Sequence, residues 1–550
     1  MTTDNMHHSG DVAIIDIIRA VAHARGHSTC VQGPRETALS WSQFIDRVER
    51  ASSALTALGL GCARERDALA SHESGQDHLA LLTHNSAECL VLMCAAFASR
   101  IAPINVNHRY TADELVDILG YAEATAIAVH SDYADVVQAA LPRLPQVSIV
   151  IEICGSREPR LSSAHSYDSL IAQHTRNELP PQPSSDDLYL VLTGGTTGRP
   201  RAVMWRNGDA VIECFDAARE PQGLDEFLDN LRPELTTLPC APLMHGAGQW
   251  MAMRTLLAGG SIVIPDHAEH FDAEDVWATV IRHEVTMLGI VGESFARPLV
   301  EALDSGDFEP QSLNVILTGG APLTNATKTR LLDRLPTVLI VDGFGSSETG
   351  GQMSIVSSQG SAISGIFRPR PNRTVVLSED LDELLSPGDE TVGWLGTTGR
   401  LPLGYLNDEE KTSQVFRVID GVRYSAPGDH ARHLADGSIE ALGREAVCIN
   451  TGGEKVFAEE VEDAVLRHRS VRDCIVVGRP SEVWGSEVTA VISMSSSGIP
   501  VPTADELAAS MRHLARYKHP KAVIVVDHIR RSPAGKADYG WARRVASSNS

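Results

Sequence analysis

The stretch Leu192-Thr193-Gly194-Gly195-Thr196-Thr197-Gly198-Arg199-Pro200-Arg201 follows directly on the apolar run Leu188-Tyr189-Leu190-Val191. Its ten positions hold three glycines, three threonines and two arginines. A strand ending in such a loop presents bare backbone N–H groups, hydroxyl donors and positive charge at one point, a chemistry suited to a polyphosphate. Glycine lets the backbone approach the phosphates and adopt positive φ without steric cost. Taken alone, the stretch also reads as a solvent-exposed Gly/Thr turn.

Two more familiar nucleotide motifs are excluded. A P-loop needs four residues between its first glycine and a Gly-Lys-Ser/Thr end, and the chain has no such run. Gly343-Phe344-Gly345-Ser346-Ser347-Glu348 begins like a dinucleotide fingerprint but sets Glu348 where the third glycine belongs. A carboxylate there repels a pyrophosphate but is able to hold a metal ion.

Acidic residues (71 Asp and Glu) outnumber basic ones (47 Lys and Arg) for a net charge of −24 over 550 residues. This balance argues against general binding to nucleic acid or to an anionic membrane. It also requires any anionic substrate to meet a locally positive site, for which Arg201, Arg444, Lys455 and Lys536 are the candidate cations in glycine-rich or turn-like surroundings. The length predicts two or more domains. No apolar run reaches the roughly 20 residues that span a bilayer, and the first residues lack a basic-then-apolar leader pattern. Nine cysteines without CxxC pairs point to reduced thiols. A cytoplasmic enzyme is the expectation, and a homodimer is one assembly compatible with it.

From about residue 79 to 345 short apolar runs alternate with amphipathic segments. Strands are expected at 79–82, 101–104, 261–264, 286–291, 313–317 and 337–342, and helices at 87–99, 111–123, 272–283, 292–304 and 324–334. Such alternation means βαβ units and mostly parallel sheets, an α/β fold whose ligands gather at the carboxyl ends of strands. Gly194–Gly198, Gly319-Gly320-Ala321-Pro322 and Asp342–Glu348 all fall at such ends. The rhythm breaks at 435–455, so a boundary is placed near 441–446. A C-terminal α+β domain is expected beyond it, with helices near 456–468 and 504–516 and strands near 473–478 and 488–494. Capping boxes are read at Thr111/Glu114 and Thr503/Glu506. The final residues from Ala546 are read as a frayed tail.

Taken together, these loops resemble the adenylate-forming superfamily, most closely its acyl-CoA synthetases, and in phrasing the actinobacterial ligases for fatty or steroid side-chain acids. The motifs Thr193–Arg201, Gly319–Leu323, Asp342–Thr349, Gly428-Asp429, Gly443–Glu462 and Ser532–Lys536 occur in the family's order and span nearly the whole chain. The resemblance implies a large N-terminal domain of two mostly parallel sheets with a distorted β-barrel (1–441), a hinge (442–446) and a small mobile C-terminal domain (447–550). It implies ATP, Mg²⁺ and CoA as co-substrates and cofactor, and two half-reactions. A carboxylic acid first attacks ATP to give acyl-adenylate and pyrophosphate, and CoA thiol then displaces AMP.

The same resemblance implies residue roles. Thr193, Gly194, Gly195, Thr196, Thr197 and Gly198 would close over the phosphates, with Thr197 and Arg201 taking part in catalysis. Glu348 would hold Mg²⁺ beside Ser347. Phe344 and Gly343 would lie against adenine with Asp342 near its amino group, and Gly320, Ala321 and Pro322 on the opposite face. Asp429 would accept the ribose hydroxyls, and Arg444 would contact the nucleotide. Lys536 would bridge carboxylate and α-phosphate, and Gly452 and Gly453 would border the CoA pantetheine tunnel. His245, Gly246, Trp250 and Gly319 are expected around the acyl group. His245 reads equally as a gate or a packed helix-start histidine, and the small residues Gly246, Ala247 and Gly248 suggest room for a bulky acid.

Four positions depart from the family pattern. Pro200-Arg201-Ala202 replaces Pro-Lys-Gly, Ser347 replaces a threonine, Pro427-Gly428-Asp429 replaces Thr-Gly-Asp, and Ala446 stands at the usual hinge aspartate. These leave two alternatives beside the CoA ligase: an adenylating enzyme with another acceptor, or a catalytically weak acyl-nucleotide binding protein.

Overall fold

Val, Ile, Leu and Ala fill the strands that run near-continuously apolar, so those strands are covered on both faces and parallel. The computed structural model describes residues 11–548 except 35–36, 155–156, 177–180, 194–199, 218–222, 307, 363–364, 390, 452–453, 482–484, 496–499, 512–513 and 533–534. One eight-stranded sheet centres on His78–Leu82, which pairs in parallel with Ala102–Asn105 and with Ala126–His130. Leu188–Leu192 joins beyond Ala102–Asn105 through the single pair Ile104 to Leu190. Pro103 in that strand lacks an amide donor, which fits so short a ladder. The antiparallel strand Ala202–Arg206 folds back from the phosphate-loop candidate onto Leu188–Leu192.

A second, 15-stranded sheet contains a parallel block in which Thr236–Pro239, Met287–Ile290, Val315–Gly319 and Leu339–Ser346 lie in that order. Three helices between them are those expected from the alternation, Ala273–Arg282, Gly292–Ser305 and Asn325–Arg334, and a fourth, Gly246–Leu257, was not anticipated. From Gly350–Ser357 onward the sheet turns antiparallel. Among the described residues these strands do not close into the expected distorted barrel. Thr374–Leu377 pairs along its length with Gly393–Thr398 and has one isolated bridge from Leu377 to Leu384, and the hairpin Phe416–Ile419/Val422–Ser425 ends the path as an open edge.

Two helices ahead of residue 79, Ile14–Arg25 and Trp41–Ala57, were not anticipated. Their buried faces, including Ile14, Ile18, Trp41 and Phe44, pack into the largest hydrophobic cluster. Both expected capping boxes form, with Glu114 and Glu506 closing on Thr111 and Thr503. The tail reading is corrected: Tyr539–Ser548 is a helix, and Ala542 and Ala546 are fully buried against Ile475, Val477 and Val491. Small residues four apart let that helix sit close on the strand Val471–Ser481. The helix expected over 504–516 is shorter, Ala504–Ser510.

Beyond residue 447 the chain has its own three-stranded sheet and its own apolar clusters. One buried carboxylate lies in it. Glu462 accepts the Val476 amide at 2.8 Å and the Tyr539 hydroxyl at 3.3 Å, and burial, helped by Glu459, pushes it up to about 8.

Charges are also buried in the N-terminal part. Arg400, 3% exposed, donates to Asp11 at 2.8 Å and Asp209 at 3.1 Å, and Arg206 reaches the same Asp11 at 3.2 Å. This network ties residue 11, the strand Ala202–Arg206 and the helix Asn207–Glu213 together. Arg400→Met removes one of the two guanidiniums shared by Asp11 and Asp209, leaving Arg206 against both, and should destabilise the protein by about 1–3 kcal/mol, checked by the shift of the denaturation midpoint. Glu462 yields a second expectation. Its folded-state pKa is raised, so the folded domain keeps a proton that the unfolded chain loses at ~4.3, and stability falls as pH climbs from there toward 8. Glu462→Gln should make the pH dependence of the C-terminal domain's melting midpoint shallower; an unchanged slope would contradict the assignment.

Candidate active site

The carboxyl ends of parallel strands from both sheets face a common cavity of about 1300 Å³. Asn105, Thr193, Pro242, Val291 and Gly319 each line it just at or beyond a strand end, and Gly343 lines it where the parallel ladder with Val315–Gly319 ends. Its volume exceeds the roughly 300–1,000 Å³ of a pocket for one small ligand. The C-terminal domain supplies one wall, through Arg530, Arg531, Ser532 and the segment 536–540.

Lys536 reaches this cavity on a tight turn. Ser532 donates its amide to the Lys536 carbonyl at 2.7 Å, and its hydroxyl accepts the Lys536 amide at 3.1 Å. Gly535 has φ +74°, and a Cβ there would run into the Ser294 hydroxyl at the start of the helix Gly292–Ser305, so only glycine lets the turn dock. Arg531 braces it, forking onto Asp473 at 2.7 and 2.9 Å and donating to the Gly535 carbonyl at 3.2 Å. The Lys536 ammonium is drawn below its ordinary value, by burial first and by the Arg444 guanidinium second, with Glu348 and Asp429 opposing. Four residues from four distant motifs thus share one electrostatic neighbourhood. His245 belongs to it too: burial, then the charges of Lys536, His108 and Arg109, bring it down to about 4, so its ring is neutral at pH 7. Its Nε2 is buried without a hydrogen-bond partner.

Asp429 and Arg444 are cross-strand partners in the ladder Asp429–His433/Ile439–Arg444, and Arg444 Nε donates to Asp429 Oδ1 at 3.0 Å. The Asp436-Gly437 turn between the two strands is the sequence signal that pairs them. Glu348 accepts the Tyr405 hydroxyl on Oε1 at 2.9 Å, and its backbone carbonyl accepts Ser425 Oγ at 2.9 Å. Trp205 Nε1 donates to the Ser347 carbonyl at 2.8 Å. Phe344 lines the cavity with its ring edge against Phe367, centroids 5.6 Å apart.

Two expected nucleotide contacts are engaged elsewhere. Arg201 donates through Nε to Asp408 at 2.8 Å, while its backbone exchanges bonds with Thr193. Asp342 is paired with the fully buried Lys328 at 2.9 Å, with burial raising its carboxyl and Lys328 opposing. Gly194, Gly195, Thr196, Thr197, Gly198, Gly452 and Gly453 lie outside the described residues.

Among the acyl-pocket candidates, His245, Gly246, Trp250 and Gly319 all line the cavity, together with Met244, Met251 and Val341. Gly248 does not open space: a Cβ there would collide with the Pro242 carbonyl, so it is small because the helix Gly246–Leu257 starts against that backbone. Sequence reasoning missed Tyr405, Asp408 and Lys328, whose partners lie 57, 207 and 14 residues away. No local pattern in the chain announces these pairs.

The comparisons agree with this geometry. Residues 18–401 match the AMP-binding enzyme family and residues 460–536 the AMP-binding enzyme C-terminal domain. The medium-chain acyl-CoA ligase Mig of Mycobacterium avium is 44% identical over 539 residues, covering 96% of this chain and 97% of that one. A 3-oxocholest-4-en-26-oate--CoA ligase of Rhodococcus rhodochrous is 36% identical over 485 residues, covering 85% and 86%. Among solved structures, the anthranilate CoA ligase AuaEII in complex with anthranoyl-AMP superposes with a TM-score of 0.82 at 20% identity over 97% of both chains. ATP-bound MatB from Rhodopseudomonas palustris gives 0.79 at 22% identity, covering 96% and 98%. The chain belongs to the AMP-binding enzyme family, as an AMP-forming acyl-CoA ligase.

Proposed function

We propose that this ligase activates a hydrophobic carboxylic acid of the medium-chain fatty or steroid side-chain class, with 1–441 as the adenylation domain, 442–446 as hinge and 447–550 as the lysine-bearing domain. The observation that carries the reading is Lys536 lining a cavity with an apolar arm at Met244, Trp250, Met251 and Val341, where the charges of Arg444, Glu348 and Asp429 act on its ammonium. The names of the two relatives supply the acid class.

In the first half-reaction a carboxylate oxygen attacks the α-phosphorus of ATP, the bond to the pyrophosphate oxygen breaks, and acyl-adenylate forms. Lys536 offers a point charge between the two anions, which lowers their mutual repulsion and fixes the attack geometry. Burial of its ammonium strengthens that interaction, because charges act more strongly where water is excluded. Asp429 would accept the ribose hydroxyls through the oxygen that Arg444 leaves open. In the second half-reaction the CoA thiol adds to the acyl carbonyl, AMP departs, and the thiol proton is released. Withdrawal of the 532–536 turn on the hinge clears the space for the thiol.

Glu348 fits a Mg²⁺ ligand by its donor chemistry. It is a hard oxygen donor with Oε2 outside the Tyr405 bond, a single carboxylate of the kind that would hold Mg²⁺ together with substrate phosphates. When bound, Mg²⁺ neutralises charge on the phosphate oxygens. Tyr405 orients the carboxylate and is a positioning residue.

Mass spectrometry of the protein with MgATP, CoA and a pooled panel of fatty, steroid side-chain and aromatic acids tests the assignment. A fatty or steroid acyl-CoA product is expected; acyl-adenylate without thioester would mean another acceptor, and an aromatic product would overturn the acid class. Lys536→Ala should cut acyl-adenylate formation by at least about 100-fold while thioester formation from supplied acyl-adenylate stays largely intact. Equal loss in both halves would sink the assigned role. Glu348→Ala should weaken Mg²⁺-dependent adenylation, and Tyr405→Phe should raise the Mg²⁺ concentration needed for half-maximal rate; unchanged Mg²⁺ titrations would remove both residues from the metal site.

A further inference from the structure

His78–Leu82 and Ala126–His130 are neighbouring parallel strands, in register at Leu82 and Val129. Their carboxyl ends therefore deliver His84 and His130 to the same edge of the sheet. The 3₁₀ turn Ser131–Tyr133 then brings Asp132 and Tyr133 back over that edge. His84 Nε2 lies 3.0 Å from Asp132 Oδ2, and His130 Nδ1 lies 3.2 Å from the same oxygen. One ligand atom from each of the three residues falls within 4.8 Å of the others. This cluster lies outside the machinery described above.

We infer that His84, His130 and Asp132 form a site for a divalent transition-metal ion of the Zn²⁺ type, closed by water in a fourth position. Zinc bonds to nitrogen and oxygen of about 2.0–2.1 Å at tetrahedral angles put neighbouring ligand atoms about 3.3 Å apart. Two of the three edges of this triangle already have that length. His130 Nδ1 also accepts the Asp132 amide at 3.3 Å. In that tautomer no ring proton lies between Nδ1 and Oδ2, so two acceptors face each other across 3.2 Å, an arrangement a cation relieves.

A second observation fixes the other histidine. Tyr133 Oη lies 2.7 Å from His84 Nδ1, so with the ring proton on Nδ1 the lone pair of Nε2 is turned toward the site. An oxygen partner on the distal nitrogen is the arrangement that orients metal-bound imidazoles. His108 stacks on the Tyr133 ring, centroids 4.8 Å apart and 8° from parallel, holding the tyrosine in place. Asp132 is 57% exposed, which gives an ion a path in.

The ion would clasp the loop after His78–Leu82 to the turn after Ala126–His130. Next to His84, Asn85 donates to the carbonyls of Pro239 and Ala241 and accepts the Leu243 amide. The clasp therefore reaches the segment that ends at His245.

Calorimetric titration of nucleotide-free, full-length protein with Zn²⁺ tests the site without using activity. The wild type should bind one more equivalent than either His84→Gln or Asp132→Asn, and His267→Ala, on a separate surface histidine pair, should keep it. Identical stoichiometry in wild type and both site variants would overturn the proposal. If the variants fold poorly, Co²⁺ added to the wild type decides it. The intense visible bands of a low-coordinate, histidine-bound ion, displaced by one equivalent of Zn²⁺, are expected, and only the weak spectrum of the hydrated ion would refute the site.

Discussion

A lysine ammonium held out of water beside an arginine is the constraint on which this active site turns. Burial and Arg444 both press against the Lys536 charge, and only Glu348 and Asp429 offset them. Those two carboxylates come from elements far from the Lys536 turn in sequence, so the balance depends on the tertiary structure.

A chain of contacts links Arg201 to Glu348. Arg201 leaves the loop and pairs with Asp408. Asp408 caps the helix Glu409–Val415, whose Thr412 accepts the Tyr405 amide at 2.9 Å. Tyr405 in turn bonds Glu348. Arg201 meets the Asp408 carboxylate through Nε, a directional contact that a compact ammonium does not reproduce. This gives the Pro200-Arg201-Ala202 departure a structural meaning. In a chain of net charge −24, Arg201 and Arg444 are oriented by Asp408 and Asp429, while the charges of Glu348 and Asp429 favour the Lys536 ammonium.

The order of strands and helices between 79 and 345 was legible because alternation of apolar runs and amphipathic segments is a local signal, and parallel strands need the crossover helices between them. The turn residues were legible for the same reason: Gly535 and Asp436-Gly437 answer to backbone demands that few other residues meet. The first two helices are equally amphipathic, and reading outward from the nucleotide loop passed over them. The tail was misjudged because Ala542 and Ala546 look featureless until a strand lies beneath them.

Sequence by itself determined the fold class, the family and the identity of the charged residues at the strand ends, because motif order and spacing are properties of the chain. The tertiary structure decided the pairings. That Asp342 faces Lys328, that Arg201 faces Asp408, that Gly248 is small for a carbonyl rather than for a substrate, and that the barrel strands stay open all depend on packing between elements far apart in sequence. Side-chain direction at such contacts follows from which backbones approach each other, and no local pattern of residues encodes that.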